Sequence, residues 1–173
     1  MIAKIGTRLA LTIVVLATIG CDRVTKHVAS VTLAGEPARS FLADTVRLVY
    51  TENIGGFLSL GAGLPPAART AVFTIATALL LIGMVVFAVR ARWAGWRLVA
   101  LALFAAGGAS NWIDRAVRGS VIDFLNVGIG PVRTGIFNVA DMAIMAGIGI
   151  FLLVELDEHR RARASGGSDE SQP

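Results

Sequence analysis

The sequence predicts an all-α membrane protein in which four transmembrane helices carry a small β-rich loop region on the outer side of the membrane. The 173 residues are 55% hydrophobic and only 16% charged, whereas soluble domains carry about 25% charged residues. Four apolar segments divide the chain, and three of them come close to the roughly 20 residues that a helix needs to cross a bilayer. One sizeable polar segment, from about residue 30 to residue 68, lies between the first two.

The first apolar segment is short for a membrane span. Residues 9–21 give 13 uncharged positions, and a span needs about 20. The segment reaches that length only if the helix continues past Asp22 and Lys26 toward Ala29. We therefore predict a helix that carries two charged residues near its outer end.

The other three apolar segments are longer. Residues 70–89 contain 20 uncharged positions and are the clearest span. Residues 98–113 contain 16 and then meet Asp114 and Arg115. The last segment, residues 134–154, is 21 residues long and contains one charge, Asp141.

The basic residues predict the orientation of the spans. The loop "RARWAGWR" between the second and third spans contains Arg90, Arg92 and Arg97, with Trp93 and Trp96 among them. Clustered arginines favour the cytoplasmic side, and tryptophans favour the membrane interface. Both chain termini are therefore predicted to be cytoplasmic. Residues 1–158 form one membrane domain, and residues 159–173 a polar, disordered tail.

The outer loop of about residues 30–68 predicts the β-rich region. "DTVRLVYTE" alternates apolar and polar residues, as a strand does, and "NIGGFLSLGAG" follows with a glycine turn and a short second strand. The single cysteine, Cys21, permits no internal disulfide. Nothing in the sequence matches a nucleic-acid-binding motif, so we predict no nucleic acid partner.

Polar residues gather at the predicted outer ends of the first, third and fourth spans. Asp22 and Lys26 are four residues apart and share a helix face. Ionisable groups at membrane depth are costly, so each is a candidate for function. Ion pairs at helix ends remain an alternative for Asp22 with Lys26 and for Asp114 with Arg115. The other candidates are Gly107, Asn111, Asp114 and Arg115 on one helix face, Asn138 and Asp141 three residues apart, and Asp123 between the last two spans.

Asp123 and Asp141 differ from the other acids because neither has a basic partner in its own segment. If the third and fourth spans pack antiparallel, the two carboxyl groups can face each other. Two close carboxylates do not both ionise easily, so one can act as a base toward water and the other as an acid toward a leaving amine. Such hydrolysis needs no metal and no cofactor. An ion- or proton-coupled transporter is the main alternative.

The segment around Cys21 also permits a different interpretation. Basic residues, an apolar run and Gly20-Cys21 together look like the end of a lipoprotein signal peptide. Thr18 stands three residues before the cysteine, where such a signal prefers leucine. Cleavage at this site would also remove the first span, so we expect the chain to stay whole.

Four separated stretches resemble, in order and spacing, the motifs of the lipoprotein signal peptidases (signal peptidase II). They are "DRVTK", "ENIGGFLSLG", "GGASNWIDR" and "VIDFLNVGIGPVRTGIFNVADMAI", and together they cover most of residues 22–144. The resemblance implies an aspartic endopeptidase of the bacterial inner membrane, with several spans and its active site near the periplasmic face. Its substrates would be prolipoproteins, cleaved before a cysteine that carries diacylglyceryl. The implied partners are this lipid-modified substrate and membrane lipids, and we expect a monomer without cofactor or metal.

The resemblance also assigns positions in this chain. It places the catalytic pair at Asp123 and Asp141. Two departures from the family pattern stand out: the aromatic residue after Gly55-Gly56 is Phe57, one position early and followed by Leu58, and Ser110 replaces a glycine. Both departures concern the shape of the groove for lipid and peptide. The supporting residues implied by the resemblance are Asp22, Lys26, Asn53, Gly55, Gly107, Asn111, Asp114, Arg115, Asn138 and Ala140.

Overall fold

A computed structural model describes residues 2–56 and 60–166 of the chain. The fold is mostly helical, with one small antiparallel sheet. The sheet has four strands in the order of the chain. The four long helices in the described residues are α1 (Ile2–Thr32), α2 (Pro66–Arg90), α3 (Trp96–Arg118) and α4 (Val139–Gly166), and the strands are β1 (Arg39–Phe41), β2 (Val46–Asn53), β3 (Val121–Ile129) and β4 (Val132–Arg133).

Helix α1 runs without interruption through the charged residues at its outer end. Asp22 is 0% exposed and Lys26 is 3% exposed, so their charges face the protein interior rather than the surface. Leu9 and Leu16, in contrast, are 60% and 65% exposed. The 31-residue helix also contains Cys21, whose side chain is exposed.

Two of the helices meet the length and composition of a membrane span. Residues Pro66–Arg90 have a mean hydropathy of 2.7, and residues Val139–Arg163 have a mean hydropathy of 2.1. Within the described residues, α1 and α3 do not meet this criterion. Four membrane crossings therefore stay a prediction.

The sheet differs from the predicted one in its pairing. The outer-loop strand is β2, but the segment after it forms no second strand in its described residues, 54–56 and 60–63. Instead β2 pairs antiparallel with β1 on one side and with β3 on the other, in a register that places Thr51 opposite Asp123. The sequence predicts no strand at β3, because "SVIDFLNV" has no clear alternation of apolar and polar residues. Its apolar run is explained by burial of Val121, Ile122 and Phe124.

The boundaries of α4 also differ from the predicted segment. The helix begins at Val139 rather than at residue 134, because the chain before it pairs with β3: Thr134 donates its N–H to the carbonyl oxygen of Val127 at 2.7 Å, and Phe137 donates to that of Leu125 at 2.8 Å. At the other end α4 continues to Gly166. The predicted polar tail from residue 159 therefore begins inside the helix, and residues 167–173 lie outside the described part.

Packing of the helices and the sheet brings the polar ends together. Helix α3 lies against α1, α2 and α4, and its contact with α4 is the most extensive. Gly119 ends α3 in the left-handed conformation (φ 75°), which glycine adopts without a steric penalty, and the chain turns there into β3. The outer ends of α1 and α3, the start of α4 and one edge of β3 therefore meet at one place.

Candidate active site

Asp123 and Asp141 lie at this meeting point, and both are buried, at 2% and 9% exposure. Asp123 comes from β3, and Asp141 from the first turn of α4. Both accept hydrogen bonds from the same residue, Asn138. Its side-chain amide donates to Oδ1 of Asp123 at 2.6 Å, and its backbone N–H donates to Oδ2 of Asp141 at 3.2 Å.

Asn138 holds this position because it caps α4. Its side-chain oxygen accepts the backbone N–H of Asp141 at 2.9 Å, while its own N–H bonds to the Asp141 side chain. This reciprocal arrangement is a capping box, which satisfies two backbone donors that a helix start leaves free. The motif "NVAD" thus orients Asp141 through local helix geometry alone.

The second oxygen of Asp123 is bonded by Asn53, the last residue of β2. The Asn53 amide donates to Oδ2 of Asp123 at 2.9 Å and to the carbonyl oxygen of Gly56 at 2.9 Å. Burial raises the pKa of Asp123 to about 6, against the lowering effect of the Asn53 hydrogen bond and with a further increase from the nearby Asp141. Burial disfavours the charged carboxylate, so Asp123 binds a proton at higher pH than an exposed aspartate does.

Asn111 connects the Asp141 side of the site to the buried charges. Its amide nitrogen donates to Oδ1 of Asp141 at 2.9 Å, and its amide oxygen accepts from Lys26 Nζ at 2.7 Å. The same oxygen accepts from the Asn138 amide at 3.2 Å. One asparagine therefore joins α1, α3 and α4 at the carboxyl pair.

The predicted pair of Asp22 and Lys26 forms, with Nζ and Oδ2 2.7 Å apart. The ion pair of Asp114 with Arg115, considered as an alternative, does not form between the described side chains. Asp114 instead pairs with Lys26 at 2.8 Å and with Arg23 at 2.5 Å. Neighbouring helix residues point about 100° apart, so Asp114 faces α1 while Arg115 faces away from it.

Arg115 contacts the segment that follows β2. Its Nε and Nη2 atoms donate to the carbonyl oxygen of Gly55 at 3.0 and 2.7 Å. Gly55 in turn donates its N–H to the side-chain oxygen of Asn53 at 2.9 Å. A cavity with about 400 Å³ of empty space opens beside Arg115, lined also by Arg69 and Phe73. Phe57 and Leu58, which follow Gly55-Gly56 in "ENIGGFLSLG", lie outside the described residues.

Gly107 allows α3 and α4 to approach closely below the site. A Cβ atom there would collide with the carbonyl oxygen of Ala140, a residue that is 0% exposed. The backbone N–H of Ala140 donates to Oδ1 of Asp22 at 2.9 Å. The structure thus brings all of the sequence-derived site residues into one connected set.

Two participants escaped the sequence-based prediction. The sequence presents Ser110 only as a departure from a glycine, yet its hydroxyl donates to Asp22 at 2.7 Å. The sequence gives no sign of Arg23, which binds Asp114. A signal exists for Ser110, since it lies three residues after Gly107 and four before Asp114 and so shares their helix face. For Arg23 only the tertiary contact reveals the partner.

Solved structures share this arrangement of helices and sheet. One, described as a bacterial membrane enzyme, superposes with a TM-score of 0.75 at 24% identity and covers 87% of this chain and 89% of its own. A second of the same description has a TM-score of 0.74 at 25% identity and covers 85% of this chain and 92% of its own. The class defined by the fold and by the buried polar site is thus that of a helical membrane enzyme.

Sequence comparison identifies the family within that class. The family model for signal peptidase (SPase) II matches residues 14–156. A lipoprotein signal peptidase of Syntrophomonas wolfei is 32% identical over 82% of this chain and 90% of its own length. One of Brevibacillus brevis is 34% identical over 78% of this chain and 87% of its own. The chain belongs to the signal peptidase II family, a family of peptidases.

Proposed function

We propose that this protein is an aspartic endopeptidase that removes signal peptides from prolipoproteins, with Asp123 and Asp141 as its catalytic pair. The observation that carries the proposal is the shared donor Asn138, which binds one oxygen of each carboxyl group. Two aspartates held by one residue in a buried site are suited to share a proton. Membership of the family supplies the substrate class.

The charge balance of the buried cluster supports one proton on the pair. Four carboxyl groups face three cationic side chains, so the cluster is neutral when one aspartate is protonated. Burial of a net charge is costly, which favours this state. The groups are Asp22, Asp114, Asp123 and Asp141 against Arg23, Lys26 and Arg115.

The singly protonated pair supplies both halves of a peptide hydrolysis. One aspartate takes a proton from a water molecule, which attacks the carbonyl carbon before the substrate cysteine. The other aspartate protonates the departing amine. The two roles belong to the pair, because coupled carboxyl groups titrate as a unit. Asn111 and Asn138 keep the carboxyl groups oriented during both steps.

The surface of the helices supports a membrane-embedded enzyme with four crossings. Asp22, Lys26 and Asp114, near the C-terminal ends of α1 and α3, are buried in the cluster, while Leu9, Leu16 and Val31 on α1 are 60–70% exposed. Such a surface suits lipid rather than water. With cytoplasmic termini, the site lies near the periplasmic face of the bacterial inner membrane, where the diacylglyceryl chains of a substrate reach it from the bilayer.

Asparagine substitutions of the two aspartates test the proposal. Purified wild-type protein, Asp123→Asn and Asp141→Asn are incubated in detergent with a diacylglyceryl-modified prolipoprotein, and cleavage is followed by gel shift. We expect each substitution to lower the cleavage rate by a factor of about 10² to 10⁴, the usual contribution of an acid or base group.

Asp157→Asn serves as the matched control, because Asp157 lies on α4 outside the cluster and pairs with Arg161 at 2.8 Å. It should cleave at the wild-type rate. Full activity of Asp123→Asn or of Asp141→Asn would exclude the aspartate pair as the catalytic centre.

A further inference from the structure

Ser110 lies at the point where three helices meet behind the carboxyl pair. It belongs to α3, and it is 0% exposed. Its hydroxyl donates to Oδ2 of Asp22 on α1 at 2.7 Å. Its carbonyl oxygen accepts from Nη2 of Arg23 at 3.0 Å. The hydroxyl and the carbonyl oxygen of this serine thus both bind residues of α1.

The Asp22 side chain connects Ser110 to α4. Its Oδ2 atom accepts from Ser110 and lies 2.7 Å from Lys26 Nζ, while its Oδ1 atom accepts the backbone N–H of Ala140 at 2.9 Å. Ala140 directly precedes Asp141, in the first turn of α4. A carboxylate at a helix start binds N–H groups that have no partner within the helix.

The hydroxyl of Ser110 limits the rotation of the Asp22 side chain. With both donors present, one oxygen of Asp22 is held by Ser110 and Lys26, and the other is directed at Ala140. Without the hydroxyl, Oδ2 retains the ion pair with Lys26 but loses the bond to α3, so we expect the bond from Asp22 to the first turn of α4 to weaken. A misplacement of about 1 Å in a reacting group costs up to about 10²-fold in rate.

We propose that Ser110 is a positioning residue for Asp141, acting through Asp22 and the Ala140 N–H. The inference rests on the proposed function, and it deepens that function by adding a residue outside the carboxyl pair that orients one of its members.

The central test is Ser110→Ala, which removes the hydroxyl and keeps the helix. We expect kcat to fall roughly five- to fiftyfold, the effect of losing a buried hydrogen bond to a charged group. KM should stay within twofold, since Ser110 contacts no surface open to substrate. The substrate is a diacylglyceryl-modified prolipoprotein, and amide hydrogen exchange is measured on the same samples.

Two further variants serve as controls. Ser110→Thr keeps the hydroxyl and should retain kcat within threefold of wild type. Ser120→Ala removes a comparable bond, that of a 6% exposed serine to Glu52 at 3.1 Å, and should leave kcat unchanged. Amide exchange at Ala140 should become faster in Ser110→Ala alone.

The outcomes separate this inference from the proposed function. A wild-type protein that does not cleave refutes the proposed function, while exchange at Ala140 still reports on the hydrogen-bond chain. If wild type cleaves, the inference is refuted by a Ser110→Ala kcat within twofold, by a change confined to KM, or by an equal loss in Ser110→Thr. If Ser110→Ala does not fold, Ser110→Cys replaces it, and a wild-type kcat in that variant, whose thiol is a weak donor, refutes the inference.

Discussion

At the scale of single residues, the site depends on asparagines. Asn138, Asn53 and Asn111 each donate a side-chain N–H to one of the two aspartates. An amide carries no charge, so it orients a carboxyl group without fixing its protonation state as a bound lysine or arginine would. The two cations nearest the pair, Lys26 and Arg115, bind instead to Asn111 and to the Gly55 carbonyl. In the described part of the chain, the donors that bind the two carboxyl groups are therefore all uncharged.

The pKa of Asp123 provides a prediction at this scale. Burial raises it to about 6, while the hydrogen bond from Asn53 lowers it by stabilising the carboxylate. Removal of that bond in Asn53→Ala should therefore raise the pKa. We expect the wild-type profile of kcat/KM against pH to show an inflection near pH 6, and the variant's inflection to lie at higher pH.

The matched control for this prediction is Asn126→Ala, which removes an asparagine of β3 that binds the Thr134 carbonyl outside the site. Its profile should coincide with that of wild type. An Asn53→Ala inflection that is unchanged or lies at lower pH would show that Asn53 does not stabilise the charged form of Asp123.

At the scale of elements, the close packing of α3 on α4 positions Asp141 relative to Asn111. Gly107 lies against Ala140, and Gly147 lies against the backbone of Ala100 further along the same interface. Because glycine has no side chain, the backbones of the two helices approach each other closely at these two positions. The separation of α3 and α4 therefore fixes the distance between Asn111 and Asp141.

Gly107→Ala tests this role of the interface. The added methyl group would overlap the Ala140 carbonyl, so we expect the variant to lose about 1–3 kcal/mol of stability, the usual cost of overpacking. The thermal midpoint in detergent measures the loss. Gly149→Ala on α4 has nothing within 4 Å of the added Cβ, so its midpoint should not fall. Equal midpoints for the two variants would contradict a tight contact at Gly107.

At the scale of the whole molecule, charge is divided between the buried cluster and the opposite end of the bundle. The cluster holds Asp22, Lys26 and Asp114 at the outer ends of α1 and α3. At the other end, Arg97 pairs with Glu155 and Glu158 at 2.8 and 2.6 Å. The apolar surface between these two ends belongs to the bilayer in the proposed arrangement, with both termini on the Arg97 side.

The side of each loop can be measured by cysteine labelling. In a Cys21→Ser background, Glu36→Cys lies after α1 and Ala94→Cys lies between α2 and α3. With four crossings, a membrane-impermeant maleimide added to intact cells should label the cysteine at position 36 and not that at position 94. Permeabilised cells should label both. Labelling of both positions in intact cells would contradict the four-span topology.

Much of the architecture followed from local patterns. Apolar runs indicated the four helices, and the alternation of "DTVRLVYTE" indicated β2. The spacing of Asp22 and Lys26 indicated their contact, because residues four apart on a helix are neighbours. "NVAD" placed Asn138 and Asp141 three residues apart, the spacing of a capping box. Each of these features depends on residues that are close in the chain.

Long-range pairing was decided by the tertiary structure alone. The sequence did not show that Asp123 lies on a strand beside β2, within reach of Asn53, 70 residues away along the chain. It also did not show that Asp114 turns to Arg23 and Lys26, or that Ser110 binds Asp22. Periodicity states which side of a helix or strand a residue occupies, and the partner on that side depends on how the elements pack. The sequence by itself thus determined the helices and the acids along the chain. Packing of four helices against one sheet decided which of those acids pair with cations and which two bind the same asparagine.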